Sequence, residues 1–555
     1  MGDMEKRVLL ASALAVLILL LYQYYQSFFV PPAPRQRVEK PAEAPGAPEA
    51  AASKPRPPPG GSRPLVRVAR PVAEEQIHLE TDLLQVTLTN RGGTVLAWRI
   101  KQYTDEAGRP VDLAPAFGPD EPPLSLAVWV EGGLGPDQLL EVVKRPGEGP
   151  GEAQVVAFRS VEESGLVMER RLTFQPGRYH AALELRLLNG GAGAATPNLR
   201  VAWGPGFRGT GKAAAGQAPQ AVALVGGKRV TEDVSKLKEE AVQKGEVAWA
   251  AVQDTYFAAA LVTSGGSPAA VFGKGSGDRP IATLRFAGTA LPAGSERVVT
   301  LDFFGGPKEV ERLREAGRDL EQLVDLGWFD ILARPALYLM KFLYRFTGNY
   351  GVVILIVTLL QKVVFLPLTQ KSLKSMQAMQ MLQPKVAAIR ERHKNNSQKM
   401  NQETMELYKR HGVNPLGGCL PMVVQIPIFI ALYNALGSSV ELWRAPFVLW
   451  IDDLSAPDAL FVLPFAVPFV GEGFAFSVLP LLMGASMFIQ QKMTPTAGDP
   501  RQAQMMLYMM PTLFTFMFWG FPSGLVLYWL GSNILQIGHQ YYMNRFPQKP
   551  RVAEG

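Results

Sequence analysis

Two rhythms of apolar and polar residues divide the chain. Between about residues 75 and 318 apolar side chains recur at every second position. Leu84, Val86 and Leu88 face one way, with Gln85, Thr87 and Thr89 the other. Leu166, Met168, Leu172 and Phe174 form a second set, and Tyr179, Ala181, Leu183, Leu185 and Leu187 a third. Gly- and Pro-rich turns separate them: Asn90-Arg91-Gly92-Gly93, Pro176-Gly177, Asn189-Gly190-Gly191 and Gly204-Pro205-Gly206. Short alternating strands with such punctuation predict a large all-β sandwich.

After Gly317 the period changes to three or four. Leu320, Leu323, Val324 and Trp328 lead into 331–344, where Arg334 and Lys341 interrupt an apolar face and Arg345 follows it. This predicts an amphipathic helix at the membrane interface over 319–347. Five long apolar runs follow: 348–368 (ending at Pro367), 419–436, 474–491, 505–521 and 524–541. Each reads as a membrane span. Near the start, Lys6 and Arg7 precede an apolar run over 8–21, followed by Tyr22, Tyr24, Tyr25, Phe28 and Phe29. A cleaved signal peptide needs small residues after its apolar core. The bulky aromatics favour an uncleaved anchor over 1–30, the sixth span. Residues 31–74 are rich in Pro, Ala and charge and predict an extended, disordered tether.

Loop charge sets the direction. The stretch 370–415 carries Lys371, Lys374, Lys385, Arg390, Arg392, Lys394, Lys399, Lys409 and Arg410 against Glu391, Glu403 and Glu406. The basic tail 542–555 adds Arg545, Lys549 and Arg551. Loop 438–476 carries Glu441, Asp452, Asp453, Asp458 and Glu472 against Arg444 alone. Basic loops stay in the cytoplasm. Both termini, 370–415 and 492–504 are therefore expected inside, and the β-domain outside. Residues 459–470 are apolar but too short to span, and read as interfacial or re-entrant. The stretch 372–411 reads as a helical hairpin turning at Asn395-Asn396-Ser397, its first arm kinked or broken at Pro384. Its Met-rich seam suits either varied partners or simple two-helix packing.

Composition narrows the chemistry. The 555 residues suggest three or four units at ~150 residues each. The net charge of +7 is too mild for a specific nucleic-acid binder. One cysteine, Cys419, excludes an internal disulfide framework and multi-Cys metal sites. Five scattered His residues argue against a His-rich metal centre. His180 lies within an alternating strand, where a solvent-facing position is the plain reading. Gly-x-Ser-x-Gly, Walker and His-Glu-x-x-His patterns are absent. The sequence predicts no catalytic residues, no cofactor and no metal.

An ionisable group inside a span is a functional candidate by default. Lys362 is one, ~9 Å from the end of its span at 1.5 Å per residue. It either snorkels to the interface or faces a wet cavity. Its neighbours favour the cavity. Thr358 is one turn away and Gln361 is adjacent. Gln425, Asn434, Ser486, Gln490, Ser532, Asn533 and Gln536 add polar groups from other spans. Ser532 and Gln536 share a face at i, i+4. Each alone is commonly interhelical glue. Together they outline a cationic groove for acidic or polar peptide segments.

Longer motifs carry a resemblance. Asn414-Pro415-Leu416-Gly417-Gly418-Cys419-Leu420-Pro421, running into Gln425-Ile426-Pro427-Ile428-Phe429, is similar to the YidC membrane protein insertases. So are 521–529 (Phe521-Pro522-Ser523-Gly524-Leu525-Val526-Leu527-Tyr528-Trp529), Pro367-Leu368-Thr369 and Met381-Leu382-Gln383-Pro384-Lys385. The stretch 249–257, with Asp254-Thr255-Tyr256-Phe257, resembles the periplasmic domain of the long Gram-negative form. The resemblance implies a five-helix insertase core over 348–541 and a mutarotase-like β-supersandwich without catalysis. It implies a groove open to cytoplasm and lipid, in which a positive residue recruits the substrate's hydrophilic segment. Lys362 stands at that position, where many relatives carry Arg, and Thr358 matches a groove Thr. Tyr528 and Trp529 fall where the family places aromatics against the transiting segment.

The implied function is insertion and folding of inner-membrane proteins, alone or with the Sec translocon and its accessory subunits. Nascent membrane proteins and membrane lipids are the implied partners. The cytoplasmic hairpin, with Met376, Met379, Lys385, Arg390 and Arg392, is linked to substrate, ribosome and signal-recognition receptor contacts. The competing classes are a secondary transporter or channel using a Lys362 pathway, and a tethered sugar-binding protein. The first needs paired halves with interrupted helices, which the spans do not show. The second needs a catalytic constellation in 75–318.

Overall fold

The computed structural model describes residues 73–545 except 106, 115–124, 148–150, 163, 208–218, 276–277, 395, 414–419, 463–474 and 495–499. The anchor, nearly all of the tether, the tail beyond 545 and most of 459–470 lie outside the described residues.

Residues 76–307 form three antiparallel sheets around one core. The largest has nine strands. They run edge to edge as Lys228–Glu232, Gln220–Val225, Val247–Gln253, Phe257–Thr263, Glu296–Pro307, His180–Asn189, Leu166–Phe174, Gln154–Val161 and Glu141–Lys144. A five-stranded sheet packs on it, with Leu199–Trp203 and Pro280–Phe286 near its middle. A four-stranded sheet, Gln76–Glu80 to Pro110–Asp112, completes the sandwich. The alternating residues point inward as their period requires: Leu84, Val86, Leu88, Leu172, Leu183 and Leu185 are all buried. The period hides a buried cation. Arg170 sits on the buried side between Met168 and Leu172, donating to the carbonyls of Gly92 and Leu126. His180 is half-buried rather than open to solvent, with Arg178 3.2 Å from its ring. Burial lowers its pKa.

Aromatic packing fixes the centre. Trp98 meets Phe303 edge-on at 4.9 Å and Phe174 at 5.7 Å. Its indole N–H donates to the Gly305 carbonyl at 2.8 Å. A Cβ on Gly305 would lie 2.6 Å from that nitrogen, so the strand approaches this closely only without a side chain. Gly305→Val is expected to cost roughly 3 kcal/mol, the upper end of overpacking penalties. Denaturant unfolding followed by tryptophan fluorescence checks this; an unchanged midpoint would show that the indole moves aside freely.

The Asp254-Thr255-Tyr256-Phe257 motif is a side-chain-capped turn. Asp254 Oδ1 accepts from the backbone N–H groups of Tyr256 at 2.8 Å and Phe257 at 2.7 Å. Lys308 closes it from below, its ammonium donating to the Asp254 carbonyl at 3.1 Å. Burial pulls the Lys308 pKa down to about 8, against the opposing pull of Asp254. In the unfolded chain Lys308 titrates at the usual ~10.4, so between these values the unfolded chain binds the extra proton and stability rises with pH. Below about pH 8 the buried charge costs on the order of 3 kcal/mol. Lys308→Met is therefore expected to be more stable than wild type at pH 7. That advantage should shrink as pH climbs through the window, as read from melting temperature against pH. A constant difference would remove the charge as its cause.

Beyond the sandwich come nine helices among the described residues. They are α1 (Val310–Ala316), α2 (Asp330–Thr347), α3 (Tyr350–Met381), α4 (Gln383–Arg392), α5 (Ser397–Arg410), α6 (Leu420–Ser438), α7 (Leu479–Met493), α8 (Pro500–Met517) and α9 (Ser523–Arg545). Helix α2 is amphipathic: Ala333, Leu337 and Met340 are buried, while Ile331, Phe342 and Phe346 are exposed. Trp328, grouped by periodicity with the inward residues, is 97% exposed. Helix α3 does not stop at Pro367 as expected. It continues through it as one 32-residue rod that includes the first part of the hairpin. Proline inside a membrane-type helix is tolerated; just beyond it the Thr369 hydroxyl donates to the Phe365 carbonyl at 3.0 Å. The first arm of the hairpin breaks at Pro384 as expected: α3 ends at Met381 and a new helix, α4, starts at Gln383 with Pro384 in its first turn.

Among the described residues, α3 alone is both long and apolar enough to cross a membrane, with Val424–Ser438 a shorter apolar stretch. Helix α7 starts at Leu479, later than the expected 474, because Ala475–Phe476 pairs with Phe461–Val462 in a small β-hairpin. Helix α9 packs against α3, α6 and α7, with α8 lying on α7.

The sandwich and the bundle are tied together at one end. The Trp443 indole donates to the Thr104 carbonyl at 2.9 Å. Its rings meet Tyr256 at 5.0 Å and Phe257 at 5.4 Å. Arg444 donates to the Asp105 carbonyl, and Lys341 of α2 bridges Glu311 and Glu441.

Candidate functional site

The polar residues of the bundle collect along one face of α9. A helix repeats every 3.6 residues, so Ser532, Gln536 and Gln540 stack, with Asn533 beside them. Gly531 lets α9 approach α3 closely: a Cβ there would lie 2.9 Å from Leu355. Across that contact the Lys362 ammonium donates to Gln536 Oε1 at 3.3 Å. Toward the start of α9, the buried Tyr528 hydroxyl donates to Gln361 Oε1 at 3.0 Å, and Gln425 of α6 also reaches it. Asn533 donates to Ser486 Oγ on α7 at 3.0 Å. Ser532 is buried on the same face.

Lys362 is half-buried, and its one described hydrogen bond runs to a neutral amide. Among the described residues no carboxylate pairs with it. A cation inside apolar surroundings without a counter-ion is costly. Such a group is an attractive point for an incoming negative charge.

Other residues named from sequence make different contacts. Asn434 donates to the Leu326 carbonyl at 2.9 Å, at the end of α6 nearest the sandwich and away from Lys362. Its height on the helix was readable, but its partner was not. The Thr358 hydroxyl is used by its own helix, bonding the Ile354 carbonyl at 2.6 Å. Trp529, about 100° round the helix from Tyr528, joins an aromatic cluster with Phe429 at 4.8 Å and Phe518 at 5.1 Å. In the hairpin, Met379 is buried with Leu382, Val386 and Tyr408, and Met376 packs against them. The exposed methionines there are Met381 and Met405. Lys385 Nζ lies 3.0 Å from His411 Nε2, and Arg392 is exposed. Arg390 is half-buried and engaged.

Two residues of α9 carry more than sequence reading gave them. Gln540 is buried, donating to the Met493 carbonyl at 2.7 Å and accepting from Thr494 at 3.3 Å. The i+4 stripe from Ser532 through Gln536 already pointed to it. The Nε2 of the neighbouring His539 is buried without a hydrogen-bond partner among the described residues.

The sequence matches the family described as 60Kd inner membrane protein over residues 342–550 and the YidC periplasmic domain over 76–339. Membrane protein insertase YidC of Pelobacter propionicus is 38% identical, covering 98% of this chain and 99% of that protein. That of Syntrophus aciditrophicus is 35% identical, covering 98% and 100%. A solved active YidC insertase with its first transmembrane domain resolved has 18% identity and a TM-score of 0.37, covering 85% of this chain and 93% of that one. A galactose mutarotase-like protein from Lactobacillus casei has 11% identity and a TM-score of 0.28, covering 42% of this chain and all of that one. With the relatives' identity held along nearly the whole length, through sandwich and helices alike, the chain belongs to the YidC membrane protein insertase family.

Proposed function

We propose that this protein inserts hydrophobic segments of newly made membrane proteins into the bacterial inner membrane and assists their folding there. The observation that carries the reading is the Lys362 cation, without a carboxylate partner among the described residues, set among Gln536, Gln361, Tyr528, Gln425 and Asn533 within an otherwise apolar bundle. A span enters lipid readily, but the hydrophilic segment beside it does not. A polar, positively charged groove lowers that barrier by replacing part of the segment's hydration, and lipid then takes the span sideways. No bond is made or broken.

In this reading both termini and the 370–415 hairpin lie in the cytoplasm and the sandwich in the periplasm, an orientation the loop charges support. The hairpin, through its exposed Lys385 and Arg392 and its Met surface, meets substrate, ribosome or signal-recognition receptor. Cooperation with the Sec translocon belongs to the same reading. The test is reconstitution of the full chain alone in inner-membrane lipid vesicles. Insertion of a short single-span protein with an acidic tail is scored by protease protection. Protection above that of empty vesicles is expected; equality with them would defeat the proposal.

A further inference from the structure

We propose that His539 is a second recognition residue of the groove, donating a directed N–H to the substrate carboxylate that Lys362 attracts. This rests on the groove reading above. Gln361, Gln536, Tyr528, Asn533 and Gln540 each have a partner inside the bundle. His539 differs: its Nε2 is buried and has no hydrogen-bond partner among the described residues. A buried polar atom left unpaired is costly, and functional sites are where such atoms are kept.

Position supplies the role. His539 lies three residues beyond Gln536, which holds the Lys362 ammonium at 3.3 Å, so the two share a face of α9. Through Gln536 the same face of α9 meets Lys362 of α3. An ammonium is a compact point charge without a planar pair of donors, so alone it attracts a carboxylate without orienting it. An imidazole N–H beside it supplies the missing direction. The two groups together grip both oxygens of one carboxylate, a task a single guanidinium performs with its fork. The ligand class is an Asp or Glu side chain, or a terminal carboxylate, in the hydrophilic segment next to a substrate span.

The experiment uses the full chain in vesicles and two test proteins that differ only in whether that segment carries Asp or Asn. His539→Leu is expected to lower insertion of the Asp protein about fivefold and to leave the Asn protein unchanged. His539→Gln, which keeps an N–H donor, retains most of the activity. Lys362→Arg supplies its own second donor, so in that background His539→Leu has little effect. Equal losses with both test proteins, or a full loss persisting in the Lys362→Arg background, would overturn the assignment and leave His539 a packing residue. Lys362→Glu separates the layers: if it inserts the Asp protein normally, the charged-groove reading itself fails, whatever His539 does.

Discussion

Lys362→Glu is expected to abolish insertion of an acidic-tailed protein, while Lys362→Arg preserves it. That is the largest effect the site predicts. Opposite unit charges 4 Å apart at an effective dielectric of 20 attract by about 4 kcal/mol, and reversing one sign turns this into repulsion of similar size. Since ~1.4 kcal/mol is a factor of ten, a loss beyond a hundredfold is expected even after solvent screening removes half of the interaction. Lys362→Ala removes the attraction without adding repulsion, about 2 kcal/mol after the same screening, and should lose about thirtyfold. The measurement is insertion in a strain depleted of its own insertase, scored by protease accessibility at matched expression. If Glu and Ala both insert normally, Lys362 is an interfacial anchor, and the neutral polar groups around Gln425 and Asn533 carry the function.

Lys362 was visible from sequence because a lone cation interrupts an apolar run. Periodicity likewise exposed the sandwich, since a one-residue slip would turn every alternating side chain to the wrong face. What stayed hidden depends on partners rather than on period. Arg170 occupies an inward position, paired with carbonyls from distant loops that the sequence does not place. Asn434 and Gln425 look alike as polar residues in one span. The first turns to the Leu326 carbonyl and the second to Tyr528. The continuation of α3 through Pro367 was concealed because proline disfavours a helix locally, and the sequence does not show that the helical hydrogen bonds resume beyond it.

The 249–257 motif was legible as a family mark but not as a device. Its turn presents Tyr256 and Phe257 to Trp443, the residue that reaches from the bundle into the sandwich. Trp443→Ala is expected to remove both ring contacts and the bond to Thr104, a loss of about 3 kcal/mol, the low end for a tryptophan because Trp443 is half-buried. Inter-domain contacts within a chain are usually modest, so this is a large share of what fastens the halves together. Hydrogen exchange on the purified full-length protein locates the effect. Protection should fall at 101–105, 254–257 and 443–455, while the strands around Trp98 stay protected. Trp443→Phe keeps most of the ring packing and loses the N–H bond alone, so it should cost only about 1 kcal/mol. Faster exchange spread evenly over the sandwich would mean that Trp443 supports the fold as a whole. No change anywhere would mean that the Lys341 bridge between Glu311 and Glu441 holds the junction unaided.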